Sequence, residues 1–400
     1  MKMAIYTTEL IEERRALMPW RIFLEVAKHA SMSGHRVVIY SGDGLQPPRE
    51  IGGQRIVYVD KPKPKEAIHA LVNNLREEGI QLVYLPIVPG RIYRQLVQRL
   101  VEAQIDVVWY FGGAWYDLRQ INKAANVIPL SQLLPYLFQA LIPKRLWIWL
   151  LNQCHLSPII TMTPFTSEKL VESGYPRSSV KAIYPGKDAV VGTDLGVCSP
   201  VVHPCGLDVA RLSKRRYFLF FGPPAAIRGI YCILDAFRLI SVRYPDAALV
   251  CLFRGDTNAA GNRTSIMRAI EEAGAGERIM ACWASASPPE LDWFLQHAFA
   301  VLKPFIIVPS EIPLAVIESA QYGKPVIGFR GDGTGRYIEE IGLAVPRMDV
   351  KALAQAMERL LSDQDVYRSR CAAASATYAG HPTWSEVAQQ WLHVGMAIRS

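Results

Sequence analysis

The sequence predicts an α/β protein of two Rossmann-like domains facing each other across a cleft, and three observations carry that prediction. Short apolar runs alternate with amphipathic segments along both halves of the chain, the pattern of parallel strands joined by right-handed helical crossovers. The alternation lapses once, from Tyr184 to Arg216, where Pro, Gly and small residues dominate (YPGKDAVVGTDLGVCSPVVHPCGLD). At 400 residues, half of them apolar, the chain is too long for one ordinary α/β domain and suits two. The expected division is 1–184 for the first domain, 185–216 for the linker and 217–384 for the second, with a last helix over 385–400.

Taken in order, Lys2–Tyr6 reads as the first strand. Ile22, Leu24, Val26, Ala27 and Ala30 have helical spacing, and Gly34 ends that helix just before a strand at Arg36–Ser41. Further strands are expected at Arg55–Val59, Gln81–Leu85, Asp106–Tyr110 and Pro158–Thr163. Lys61-Pro62-Lys63-Pro64-Lys65 reads as an exposed break before a helix over Glu66–Glu77. In the second half the pattern gives strands at Tyr217–Phe221, Ala247–Leu252 and Arg278–Ala281, and helices at Tyr231–Arg243 and Val350–Leu361. A final helix starts near Ser385.

The most informative stretch is Phe299–Tyr337, FAVLKPFIIVPSEIPLAVIESAQYGKPVIGFRGDGTGRY. An apolar run ends at Pro309-Ser310, a short helical pattern carries Glu318, and Gly323 closes it. Pro325–Phe329 is then a buried strand, followed by a glycine-rich loop from Gly331 to Arg336. This is one βαβ unit with an acid on its helix, at the carboxyl edge where open α/β sheets bind nucleotides.

Charge is uneven. Residues 1–184 carry 22 Lys and Arg against 15 Asp and Glu, a net +7 out of the chain's +8. A basic first half suits an anionic membrane surface or an acidic acceptor, and no nucleic-acid motif accompanies it. The seven cysteines are scattered singly, which predicts a reducing, cytoplasmic setting without structural disulfides. Cys198, His203 and Cys205 lack a fourth ligand and make a poor zinc site. The start, MKMAIYTTEL, shows no signal peptide, and Pro135, Pro143, Lys144 and Arg145 interrupt the apolar region from Val127 to Leu151. Within that region Trp147 and Trp149 beside Lys144-Arg145 suit a bilayer interface, but a helix buried beside the hinge is the favoured reading.

Four segments carry a family resemblance. Glu318-Ser319-Ala320-Gln321-Tyr322-Gly323-Lys324-Pro325-Val326-Ile327 is similar to the E-A-M-A-x-G-x-P-V-I segment of family 4 glycosyltransferases, which have the GT-B fold. Gly34–Val37, Ile183–Asp188 and Gly222–Gly229 (GPPAAIRG) resemble that family's first-helix end, domain junction and phosphate loop. The resemblance implies a transferase, retaining in its stereochemistry, that moves a sugar from a nucleotide-diphosphate sugar to a glycan, lipid-linked or small-molecule acceptor. It implies no metal or other cofactor.

By that resemblance Glu318 would accept hydrogen bonds from the ribose hydroxyls. Arg228, at the family's lysine position, would hold the phosphate through a bidentate guanidinium. Gly222 opens the phosphate loop, and the first-turn amides of Leu314 and Ala315 would face the distal phosphate. The family's paired acids stand eight apart, which puts Ser310 where the first belongs and makes Glu311, one residue on, a displaced partner for the donor's sugar hydroxyls. Pro223 replaces the family's phosphate-binding arginine, and Arg254, Lys303 or Arg330 are the nearby substitutes. In the first domain, Phe111–Asp117 offers two glycines for close backbone approach, aromatics to stack on a sugar, and Asp117 as a turn or cap. A last helix crossing back to the first domain, with peripheral membrane contact through that domain, is also expected. The rival is a non-catalytic relative that binds a glycan or partner without transfer. A nicotinamide dehydrogenase is disfavoured because Gly331-Asp332-Gly333 lacks the third glycine and lies late in the chain.

Overall fold

The computed structural model describes residues 1–398 apart from 45, 62–64, 88–90, 153–156, 189–206, 208–211, 213, 255–259 and 309. Most of the linker, all three zinc candidates (Cys198, His203, Cys205), Cys154 and the Pro62–Pro64 part of the Lys-Pro break therefore lie outside the described residues. The first domain runs β1 (Lys2–Thr7), α1 (Trp20–Met32), β2 (Arg36–Ser41), β3 (Arg49–Ile51), β4 (Gln54–Tyr58), α2 (Lys65–Glu77), β5 (Leu82–Pro86) and α3 (Arg91–Glu102). It continues with β6 (Asp106–Phe111), α4 (Leu118–Ala124), α5 (Leu130–Leu141), α6 (Lys144–Asn152), β7 (Ile159–Thr161), α7 (Pro164–Glu172) and β8 (Val180–Ala182). Its sheet has the order β3-β4-β2-β1-β5-β6-β7-β8, parallel except for the β3–β4 hairpin.

The second domain runs β9 (Arg216–Gly222), α8 (Ile230–Ser241), β10 (Ala247–Phe253), α9 (Ala260–Glu272), β11 (Ile279–Cys282), α10 (Pro288–His297), β12 (Ala300–Lys303) and α11 (Leu314–Gln321). Then come β13 (Val326–Phe329), α12 (Gly333–Ile341), β14 (Gly342–Val345), α13 (Val350–Ser362), α14 (Gln364–Gly380) and α15 (Trp384–Met396). Its sheet is wholly parallel in the order β11-β10-β9-β12-β13-β14. The chain reverses direction across the sheet between β9 and β12, and ligands of open α/β sheets bind outside the carboxyl ends at such a switch.

Local chemistry explains the boundaries. Gly34, at φ +82, follows α1 and turns the chain into β2. Pro164 opens α7, so β7 is shorter than the strand expected at Pro158–Thr163, and β8 follows α7 as a further strand. Of the apolar run Phe299–Val308 only Ala300–Lys303 is strand. The glycine-rich segment after β13 is corrected from loop to helix. Asp332 caps α12 by accepting from the Gly335 amide at 2.8 Å, and Tyr337, Ile338 and Ile341 bury its inner face. Its glycines answer to packing: a Cβ on Gly333 would stand 2.4 Å from Thr163 Oγ1 and 2.8 Å from Glu311 Oε1.

The C-terminal helix α15 packs on α1 and seats Trp391 among first-domain rings. The Trp391 ring lies 5.0 Å from Tyr84 and 5.3 Å from Tyr110, and the Tyr84 hydroxyl donates to the Trp391 carbonyl at 2.8 Å. At the junction, His381 is buried, with Nε2 2.7 Å from the Pro185 carbonyl and Nδ1 3.2 Å from the Tyr337 hydroxyl. Burial pushes its pKa down to about 4, so it is neutral and ties the crossover to the domain junction. Cys232, Cys251 and Cys371 are free, whereas Cys282 is disulfide-bonded, so the expectation of no disulfide is corrected. Among the described residues no helix is long and apolar enough to cross a membrane.

Candidate functional site

The switch point of the second sheet gathers the charges. β9 ends at Gly222, at φ +139, and its carbonyl accepts from the Arg254 amide at 3.0 Å as β10 ends beside it. Lys303 closes β12 and is wholly buried, its ammonium donating to the Phe221 carbonyl at 2.6 Å and lying 3.1 Å from the Phe221 ring centroid. Burial pushes its pKa well below the ordinary lysine value, with Arg228 adding to that and Glu318 opposing it. Arg228 follows β9 in a short turn, half-buried, its guanidinium 5.0 Å over the Phe305 ring. Gly229, at φ +78, lets that turn lie against β12, because a Cβ there would stand 2.0 Å from the Pro304 carbonyl oxygen. The Arg228 turn is thus held against the segment that follows β12, where the Ile306 and Ile307 amides donate to the Ile227 carbonyl at 2.9 and 3.2 Å.

Glu318 lies on α11, half-buried and within reach of the Lys303 charge. Burial pushes its carboxyl pKa up, while Arg21, Lys303 and Arg254 pull it down and Asp188 raises it further. Arg21 comes from α1 of the first domain and stands 3.8 Å from Glu318. The same guanidinium pairs with Asp188, which also accepts from Trp384 Nε1 at 2.9 Å, and it lies 5.5 Å over the Trp384 ring. Neither Arg21 nor Asp188 announced itself as a site residue. Their only signal was position, on the first helix and at the junction segment, because the partners are about 300 and 170 residues away.

The amides of Leu314 and Ala315 open α11 behind Pro313, which has no N–H to offer. Ser310 directs its hydroxyl to Met162 Sδ at 3.4 Å. Of the three substitute cations, Arg254 is exposed and acts on Glu318, Lys303 is buried beside Arg228, and Arg330 is spent elsewhere, donating to the Ala344 carbonyl at 2.7 Å.

Glu311 stands apart from this cluster. It is fully buried between the domains, where Oε1 accepts from the Thr163 hydroxyl and, at 3.2 Å, from the Thr166 amide. Its own amide donates to the Gly112 carbonyl at 2.9 Å, and its carbonyl accepts from Thr334 Oγ1 at 2.6 Å. Oε2 is buried without a partner. Burial pushes its pKa up to about 8 against the threonine hydrogen bonds. The displaced acid is therefore an inter-domain clasp in this arrangement, not a group at an open sugar pocket. The folded chain holds its proton between pH 4.5 and 8, where the unfolded chain has released it, so stability falls as pH rises through that window and levels off above it. Glu311→Gln removes this titration. Its melting-temperature advantage over the native protein should grow from pH 5 to pH 8, by the equivalent of up to about 4 kcal/mol, and a constant difference across a calorimetric pH series would refute the clasp.

The aromatics of Phe111–Asp117 are corrected in the same way. Phe111, Trp115 and Tyr116 are buried, Trp115 against Trp147 at 4.9 Å, so they offer no face to a sugar. Tyr116 accepts from the Val308 amide at 2.6 Å and lies under Arg347, whose guanidinium is 5.3 Å away. Arg347 in turn donates to Asp332 at 2.7 Å, a buried pair at the inter-domain seam. Asp117 is a helix cap, with a reciprocal bond to Gln120. The one Asp-x-Asp spacing in the chain, Asp363 and Asp365, is also a cap, since Asp363 accepts from the Asp365 and Val366 amides at the start of α14. Among the described residues no group of His, Cys, Asp and Glu could hold a metal ion.

The fold and part of the sequence have counterparts. Residues 215–363 match the family model described as glycosyl transferases group 1. A glycosyltransferase from Rickettsia africae superposes with a TM-score of 0.70 at 14% identity, covering 100% of this chain and 98% of that one. Anabaena HepE in complex with UDP and glucose gives 0.66 at 12% identity over 98% of each chain. Sucrose-phosphate synthase from Thermosynechococcus elongatus gives 0.69 at 16% identity over 100% of each. The fold is GT-B. No curated protein matches the sequence. The chain thus has the GT-B architecture, and residues 215–363 of its second half are similar to glycosyl transferases group 1.

Proposed function

We propose that this GT-B protein transfers a sugar from a nucleotide-diphosphate sugar, most consistently a UDP-sugar, to a glycan or lipid-linked acceptor. The observation that carries this reading is the cluster at the second sheet's switch point, where Lys303 and Arg254 act on Glu318, Arg228 acts on Lys303, and the first turn of α11 presents its amides. UDP or UDP-glucose in the HepE structures of the same fold supports the choice of donor. Glu318 accepts from the ribose hydroxyls, exchanging the 3.8 Å contact with Arg21 for them. Arg228 and the Leu314 and Ala315 amides take the charge that builds on the diphosphate as the sugar leaves. The acceptor enters from the first domain, and the reaction retains the anomeric configuration.

Arg228→Ala tests the assignment. Turnover of the UDP-sugar should fall about a hundredfold while the melting temperature stays within about 2 °C, and an equal loss of both would make Arg228 structural. A second reading is favoured by Pro223 at the family's arginine position and by the engagement of Glu311. In it the protein binds the donor or a glycan without transfer, and tight UDP binding with no product from any acceptor would establish it.

A further inference from the structure

Consecutive helices α5 and α6 of the first domain leave an apolar face uncovered. On α5, Leu130, Leu134 and Leu141 are 61%, 42% and 55% exposed, and at about 100° per residue they fall within about 40° of one another. Across the Ile142-Pro143 turn, Leu146 and Trp149 of α6 are 46% and 55% exposed, with Arg145 exposed on the same side of the helix. Trp147, one step round, is buried against Trp115. The favoured expectation of a wholly buried segment is therefore corrected: the two tryptophans divide between core and solvent.

The segment that carries this face has charge of one sign, and Glu172 of α7 is an acid outside it that Lys144 acts on. From Leu118 to Ser167 the chain has no Asp or Glu and carries Arg119, Lys123, Lys144 and Arg145. Exposed leucines, a tryptophan at the edge and bases without acids are the composition of a surface that enters the headgroup layer of an anionic bilayer. The helices are 12 and 9 residues long, enough to lie in the interface and too short to span it. A second copy is a poorer occupant, because a two-fold pairing of this face would set its bases against their own images. We infer that the α5–α6 face docks on an anionic phospholipid surface and holds the first domain against it.

The inference stands independently of the sugar-donor reading, since none of its residues belongs to the nucleotide cluster. Flotation of the full chain with phosphatidylcholine vesicles, with and without phosphatidylglycerol, tests it. Partition should be at least about tenfold greater onto the anionic vesicles and should weaken at high salt. Leu134→Glu/Trp149→Glu should reduce it about tenfold or more while the melting temperature and UDP binding stay native, and Arg145→Glu should reduce only the anionic preference. Equal partition of the double variant, or no vesicle binding at all, would overturn the inference. So would a concentration-dependent dimer abolished by the same substitutions without vesicle binding, which would give the face to a second copy.

Discussion

Asp332→Ala is expected to lower stability by about 3–5 kcal/mol, because it leaves a buried guanidinium without its carboxylate. Arg347 and Asp332 are paired at 2.7 Å with side chains only 10% and 5% exposed, and Asp332 also caps α12. For a domain of roughly 180 residues the loss corresponds to a fall of about 10 °C in melting temperature. The lesion reaches the domain seam, since Arg347 lies over Tyr116 and the Tyr116 hydroxyl accepts from Val308. Asp332→Ala/Arg347→Met should recover much of the loss, because the orphaned charge leaves with its partner. Calorimetry on the single and double variants decides the matter. A single-variant drop under about 2 °C would show that water already reaches the pair.

Glu318→Ala is expected to weaken UDP binding about a hundredfold, as two hydrogen bonds to an ionised carboxylate are lost. The free protein should scarcely change in stability. Burial already pushes the Glu318 pKa up, so the carboxylate costs desolvation in the unliganded fold, and Arg21 keeps its pairing with Asp188. The measurement is titration calorimetry with UDP, GDP and ADP and their sugars, alongside thermal shifts of native and variant protein. Stabilisation by one nucleotide, lost in the variant, identifies both the base and the site. Native-like affinity in Glu318→Ala would remove the ribose assignment, and no binding by the native protein would favour a glycan-binding role without transfer.

Much of the second domain could be read locally. The apolar runs and helical patterns gave β9, β10, α8 and α13 within a residue or two, because each strand is buried on both faces and each helix buries a continuous face. Helix α14 was not legible: its alanine-rich segment buries only Ala374 and Tyr378, so no stripe marks it. Helix α12 was hidden by its glycines, which suggest a flexible loop until the neighbouring domain shows why a side chain cannot fit at Gly333. For the site, Glu318 and Arg228 were legible because their neighbours in sequence form a recurrent strand-to-helix unit.

The sequence by itself determined the two-domain α/β class and the acid on a helix at a strand edge, since these follow from burial patterns local in the chain. Tertiary structure alone decided how charges distant in sequence meet. It brought Arg21 to Glu318, turned Glu311 into a buried clasp under Thr163, and set Asp332 on Arg347 beneath Tyr116. Those outcomes depend on desolvation and on the approach of the two domains, which no local pattern encodes.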